Sequence, residues 1–222
     1  MLEASELDYG AAILTELSLT FGASDVDITA RERVYQGFFA VDRVTVTHRR
    51  FGGGWTEVFS RELFERGDAV AVLPWDVKRD HIILIEQFRA GAIRDGESPW
   101  MLEVVAGIVE PGESDESVAI REAQEEAGCT MDRLEPIASF YPSAGGCSEQ
   151  IRLFVGRVTT AAIGQVKGLD DEHEDILVHS IPRADAIALL DSGQINNGQT
   201  LIALQWLARH GDSHRDRWLA DD

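Results

Sequence analysis

The sequence is poor in cysteine, in positive charge and in long apolar runs, and each shortage excludes something. Two cysteines, Cys129 and Cys147, cannot build a disulfide framework, and nothing marks them as metal ligands. A reducing cytoplasm is therefore the expected compartment. No apolar run reaches the length of a membrane span, and Met1 to Tyr9 carries acids where a signal peptide needs a basic segment. Lys and Arg together number 20 against 39 Asp and Glu, a formal net charge of −19. Nucleic acids and anionic membranes are held largely by basic patches, so neither is expected as a partner. An acidic protein that handles phosphates must neutralise them locally, with metal ions or a few placed arginines. Internal repeats and low-complexity linkers are missing as well.

What remains is ordinary globular material. A chain of 222 residues, 44% hydrophobic and 27% charged, can bury a core as one large domain or two small ones. Alternation predicts strands over Asp25–Val34, Phe39–His48 and Trp55–Leu63, with Gly52-Gly53-Gly54 as a hairpin turn. This first part reads as a small antiparallel β unit, residues 1–66. Dense apolar runs at Ala69–Trp75 and His81–Arg89 predict strands buried on both faces. Further strands are expected at Trp100–Ala106, Leu134–Tyr141, Gln150–Val158 and Ile176–Ile181. Helices are expected over Ala184–Leu190 and over Gln199–His210, the latter stopped by Gly211. Residues 67–222 thus form a second domain of mixed strands and helices.

The chain is organised around the stretch from Gly107 to Cys129. Gly107, Pro111 and Gly112 punctuate a loop, and Ser114 is placed to cap a helix with Asp115 and Glu116 in its first turn. Ala119, Ala123 and Ala127 form a narrow apolar stripe, and Gly128 supplies the stop. On another face Glu122, Glu125 and Glu126 stand one turn apart, where like charges destabilise an isolated helix by a few tenths of a kcal/mol per pair. Something positive is expected among them, and hard divalent cations favour carboxylate oxygens. A charge run is usually no more than a solvated helix face. The whole pattern decides against that reading here: Gly107, Glu113, Arg121, Glu122, Glu125, Glu126 and Gly128 occupy all seven fixed positions of the Nudix box. At average composition such a match arises by chance about once in a million chains, and about tens of times per million in a Glu-rich chain.

The sequence therefore resembles the Nudix hydrolase superfamily, and its flanks resemble bacterial ADP-ribose pyrophosphatases most closely. The matching stretches include Tyr35–Phe39, Arg61–Gly67, Leu84–Arg89, Leu102–Gly107, Gly168–Ile176 and Ile202–Leu207. The resemblance implies an α+β fold, a Nudix-type α/β/α sandwich with a mixed sheet, plus the N-terminal antiparallel β unit. It implies that the Ala106 carbonyl, Glu122 and Glu126 hold Mg²⁺ (or Mn²⁺), with Glu125 a further ligand. Glu113 and Arg121 would brace the loop on the helix. Arg89 would contact the diphosphate, and Glu149 would position the terminal ribose or the attacking water. Phe38 and Arg61 would reach the substrate of the other subunit in a homodimer. One residue departs from the sub-family: Ala144 stands before Gly145-Gly146, where a proline is usual.

The reaction so implied is Mg²⁺-dependent hydrolysis of ADP-ribose to AMP and ribose 5-phosphate. A general base must reach the water without being saturated by metal, which points to the acidic loop Gly168–Asp175. The residues alone leave Glu172 and Glu174 open, and the resemblance aligns Glu172. The nearest alternative is hydrolysis of another nucleotide sugar such as GDP-mannose. A non-catalytic module that senses ADP-ribose is the rival from another class. Such modules often lose box glutamates, and this chain keeps all of them.

Overall fold

The computed structural model describes residues 18–169 and 173–221. Two compact units divide between Leu63 and Phe64. β1 (Val26–Gln36), β2 (Ala40–His48) and β3 (Phe59–Glu65, whose last two residues fall after that division) form a three-stranded sheet in that order. The Gly triplet makes the expected hairpin turn: Arg49 bridges Trp55, and Gly53 and Gly54 take the positive φ values, 91° and 74°, that glycine tolerates. Beyond that bridge the returning strand starts later than its alternation suggests, at Phe59. Every residue of β1 is exposed.

The second unit is built on a sheet of β4 (Ala69–Asp76), β5 (His81–Phe88), β6 (Trp100–Glu103), β7 (Val105–Ile108), β8 (Thr130–Phe140), β9 (Ile151–Thr160), β10 (Val166–Lys167) and β11 (Ile176–Pro182). Its main path runs β10-β11-β5-β4-β9-β8, with only β4 and β9 parallel among the paired strands. Three helices complete it: α1 (Asp115–Ala127), α2 (Arg183–Asp191) and α3 (Gly198–Ala220).

The apolar runs of β4 and β5 are buried on both faces, as their density predicts. Ala69, Ala71, Leu73 and Trp75, with Ile82 and Leu84, pack with Ala203, Leu204, Leu207 and Trp218 of α3. Val70, Val72, Ile83 and Ile85 face the other way, onto Val118, Ala119, Ala123 and Ala127 of α1. Each fully buried Leu, Ile or Val contributes about 1.5–3 kcal/mol. The result is the expected α/β/α sandwich with a mixed sheet.

β4 and β5 pair only where they meet at their hairpin, through Trp75↔Ile82 and Asp76↔His81. Beyond it they fork. The segment expected as one strand, Trp100–Ala106, fills that fork by changing partner. Its first part, β6, pairs with the end of β5, and β7 then pairs with the start of β4. Val104 lies at the change, and its amide donates to Thr200 Oγ1 at 3.0 Å.

α3 also departs from the sequence expectation. It does not stop at Gly211 but continues to Ala220. The glycine is there for space: a Cβ would stand 2.8 Å from Nη1 of Arg183. Arg183 bonds Asp80 and Asp212 across that gap.

Candidate active site

The caps read from the sequence set the ends of α1. Ser117 N–H donates to Ser114 Oγ at 3.2 Å, and Ser114 N–H donates to Ser117 Oγ at 3.1 Å, a reciprocal N-terminal cap. At the other end Gly128 adopts φ 56°, and the Cys129 and Gly128 amides close on the carbonyls of Ala123 and Gln124. With its small-residue face pressed on the sheet, α1 presents Glu122 and Glu126 toward β7, and Arg121 bonds Glu122 and Glu125 beside them.

Glu126 is 2% exposed, and one of its oxygens accepts from the Ala106 amide at 3.1 Å. Among the described residues no basic group forms an ion pair with it. Burial holds its carboxyl well above the usual range; the charges of Glu122 and Glu174 add to that push, against the Ala106 bond and the charge of Arg89. Glu122 is pushed up to about 7, again chiefly by burial, with Arg121 opposing. Its side chain passes so close to β7 that a Cβ at position 107 would displace the carboxylate, and glycine, the first fixed residue of the box, leaves it in place.

Among the described residues the basic group beside the glutamates is Arg121. Its Nε and Nη2 donate to the two oxygens of Glu113 at 3.1 and 3.2 Å. Its Nη1 bridges Glu122 and Glu125 at 2.8 and 3.1 Å. Arg121 holds the Glu113 carboxyl below the usual range, and the Glu110 amide adds to this. The loop between β7 and α1 is thereby tied to the helix.

Among the described residues no three acids or imidazoles converge into a ready-made ion cage. The donor set nevertheless fits a hard divalent cation. A buried carboxylate without a cationic partner and a second one crowded by like charge both gain from a cation placed between them.

The sequence-predicted residues fall into separate groups. Ala106, Glu113, Arg121, Glu122, Glu125 and Glu126 come together around α1. Arg89, just after β5, donates from Nε to one oxygen of Glu103 at 2.8 Å, and its Nη2 is ion-paired with the same oxygen at 2.8 Å. Glu149 is 7% exposed and pairs with Arg66 at 3.4 Å; burial raises its pKa against the pull of that arginine. Phe38 and Arg61 belong to the N-terminal unit, where Phe38 is 90% exposed and Arg61 lies over the Phe59 ring. Glu172 lies outside the described residues. Glu174 accepts from the Leu169 amide at 3.3 Å, and its charge is felt at both Glu122 and Glu126. The sequence pattern did not single out Glu103, although an acid between Leu102 and Val104-Val105 in an apolar strand is a visible signal.

The NUDIX domain family matches residues 65–203, well over half of the chain. The chain belongs to the Nudix family. This Nudix chain is 46% identical over 202 residues to the ADP-ribose pyrophosphatase of Escherichia coli (strain K12), covering 91% of this chain and 97% of that protein. It is 29% identical over 184 residues to the GDP-mannose pyrophosphatase of Pectobacterium atrosepticum, covering 82% and 94%. A solved structure titled "Crystal structure of ADP compounds hydrolase" superposes with a TM-score of 0.62, covering 84% of this chain and 96% of that one. At 24% identity that likeness shows the shared fold.

Proposed function

We propose that this Nudix hydrolase cleaves the diphosphate of ADP-ribose, with a divalent cation, to AMP and ribose 5-phosphate. The observation that carries the chemistry is the buried Glu126, bonded to the Ala106 amide beside Glu122. The substrate rests on the identity with the E. coli ADP-ribose pyrophosphatase across 91% of the chain, against the more distant GDP-mannose relative.

Glu122, Glu126 and the Ala106 carbonyl would hold the cation, Mg²⁺ or Mn²⁺, with Glu125 as a further ligand. Such an ion supplies neutralisation of diphosphate oxygens and a lowered pKa for water. Arg89 binds the diphosphate from the side of β5. Glu113 and Arg121 keep the loop and helix in register. Glu172 takes the proton as water adds to phosphorus and the bridging P–O bond breaks. Glu149 orients the terminal ribose or that water.

The same reading includes a homodimer in which Phe38 and Arg61 serve the partner's site. The fully exposed β1, with Ile28 and Tyr35 at 61% and 62% exposure, and Phe38 just beyond it at 90%, support a second copy as their cover. Two free cysteines fit a reducing cytoplasm.

The test is a product assay on purified protein with Mg²⁺ and, separately, ADP-ribose, GDP-mannose, ADP-glucose and NADH. AMP and ribose 5-phosphate should form fastest from ADP-ribose. A higher kcat/KM on GDP-mannose would overturn the substrate, and no cleavage of any of the four would overturn the activity.

A further inference from the structure

Glu103 is 1% exposed, more deeply buried than Glu126. Both of its oxygens are engaged. Oε2 accepts from Arg89 Nε at 2.8 Å and from Gln87 Nε2 at 3.3 Å, and Arg89 Nη2 lies within ion-pair distance of it, also at 2.8 Å. Oε1 accepts from Asn197 Nδ2 at 2.6 Å. Asn197 is in turn the N-cap of α3: its Oδ1 accepts from the Thr200 amide at 3.1 Å and the Thr200 hydroxyl at 3.0 Å. That hydroxyl accepts the Val104 amide, next in the chain to Glu103. A closed hydrogen-bonded ring therefore joins the end of β6 to the first turn of α3.

A buried carboxylate is costly to keep unless it is fully paired, and an apolar residue of similar volume often serves stability as well or better. A purely structural ring would also not need an arginine that remains 39% exposed. Arg89 Nη1 makes no hydrogen bond to a described residue, while Nε is hydrogen-bonded and Nη2 ion-paired to Glu103. Glu103, which Arg89 grips, stands three residues before Ala106, whose amide bonds Glu126, so β6 and β7 lead from this arginine to the glutamate cluster. A guanidinium held in place beforehand loses less rotamer freedom when an anion arrives.

We propose that Glu103 is a positioning residue, which fixes the guanidinium of Arg89 for the substrate diphosphate and anchors it through Asn197 on the N-terminus of α3. This rests on the reading of Arg89 as the diphosphate contact.

A double-mutant cycle with ADP-ribose and saturating Mg²⁺ tests it, with thermal melting of each variant. Arg89→Ala should lower kcat/KM by roughly 10²-fold. Glu103→Gln should raise KM about tenfold and change kcat by less than about threefold. In the Arg89→Ala background, Glu103→Gln should then change kcat/KM by less than about twofold. If Glu103→Gln does not fold, Glu103→Asp enters the same cycle; it keeps the charge but withdraws the carboxylate by one methylene, and the same loss of effect is expected. Additive losses, or a normal KM in the Glu103 variant while Arg89→Ala is impaired, overturn the positioning role alone. Normal kcat/KM for Arg89→Ala overturns the role of Arg89 itself, and this inference with it.

Discussion

Gly107 and Glu122 are in such close contact that a Cβ on residue 107 would stand 1.8 Å from Oε1 of Glu122. The Glu122 carboxylate occupies the space that a side chain at residue 107 would take. Gly107→Ala would force that flexible side chain aside, which the fold can tolerate and the site cannot. A loss of kcat of about 10²-fold is expected, the usual result of an ångström-scale misplacement. Mn²⁺ affinity should weaken in parallel, with little change in Tm. Normal kcat and normal Mn²⁺ affinity would remove Glu122 from the ion site.

Glu126→Gln keeps an oxygen for the Ala106 amide and removes a buried charge. Metal-free Tm should hold or rise, while kcat falls by at least about 10²-fold. Mg²⁺ should no longer raise Tm, because the ion stabilises only what it binds. A variant that Mg²⁺ still stabilises as strongly as the parent would show that the ion sits elsewhere.

Glu122 carries a pH signature. Its folded pKa of about 7 lies above the ordinary value of 4.5. The folded state thus binds the proton more tightly than the unfolded chain. The stability this contributes is fully present below about 4.5 and is lost as pH rises through 7. Buried Glu126 acts in the same direction. Metal-free protein should therefore lose stability between pH 5 and 7.5, and Glu122→Gln should flatten that slope. Urea midpoints across this range are the measurement; an unchanged slope in the variant would refute the assignment.

Thr200→Val keeps shape and deletes the hydroxyl that receives the Val104 amide. A buried donor left unmade costs about 1–3 kcal/mol. For a chain of this size each kcal/mol lowers Tm by about 2–4 °C. A shift below 1 °C would mean that the amide finds another acceptor.

The base is tested by a pair of variants. Glu172→Gln should lower kcat by roughly 10²- to 10⁴-fold. Glu174→Gln should do much less to kcat, and by removing a negative charge that raises the pKa of Glu122 and Glu126 should let both ionise more readily. If Glu174→Gln abolishes the acidic limb of the pH–rate profile while Glu172→Gln keeps it, the base is Glu174.

Residues 107–129 were legible because their signals are local. Ser114 and Gly128 cap by their own chemistry, and the alanine stripe has one periodicity to satisfy. The break at Val104 was not legible, since apolar alternation says which residues are buried but names no partner strand. Gly211 misled for a related reason. A glycine late in a helix reads as a stop, yet here it answers an arginine on a different helix, which no window around residue 211 contains. Glu103 was visible as an oddity in an apolar strand, but its partners Arg89 and Asn197 lie 14 and 94 residues away.

The fork between β4 and β5 makes the site vulnerable at a distance. Ala106 and Gly107 owe their position to ladder bonds with Ala71 and Val70, on a segment whose preceding residues belong to a different strand. A substitution that let this segment slide would carry the backbone away from Glu122 and Glu126 without altering any group that touches substrate. In kinetics it would pass for a lost catalytic residue, and only a map of the backbone would show that the lesion was in the seam.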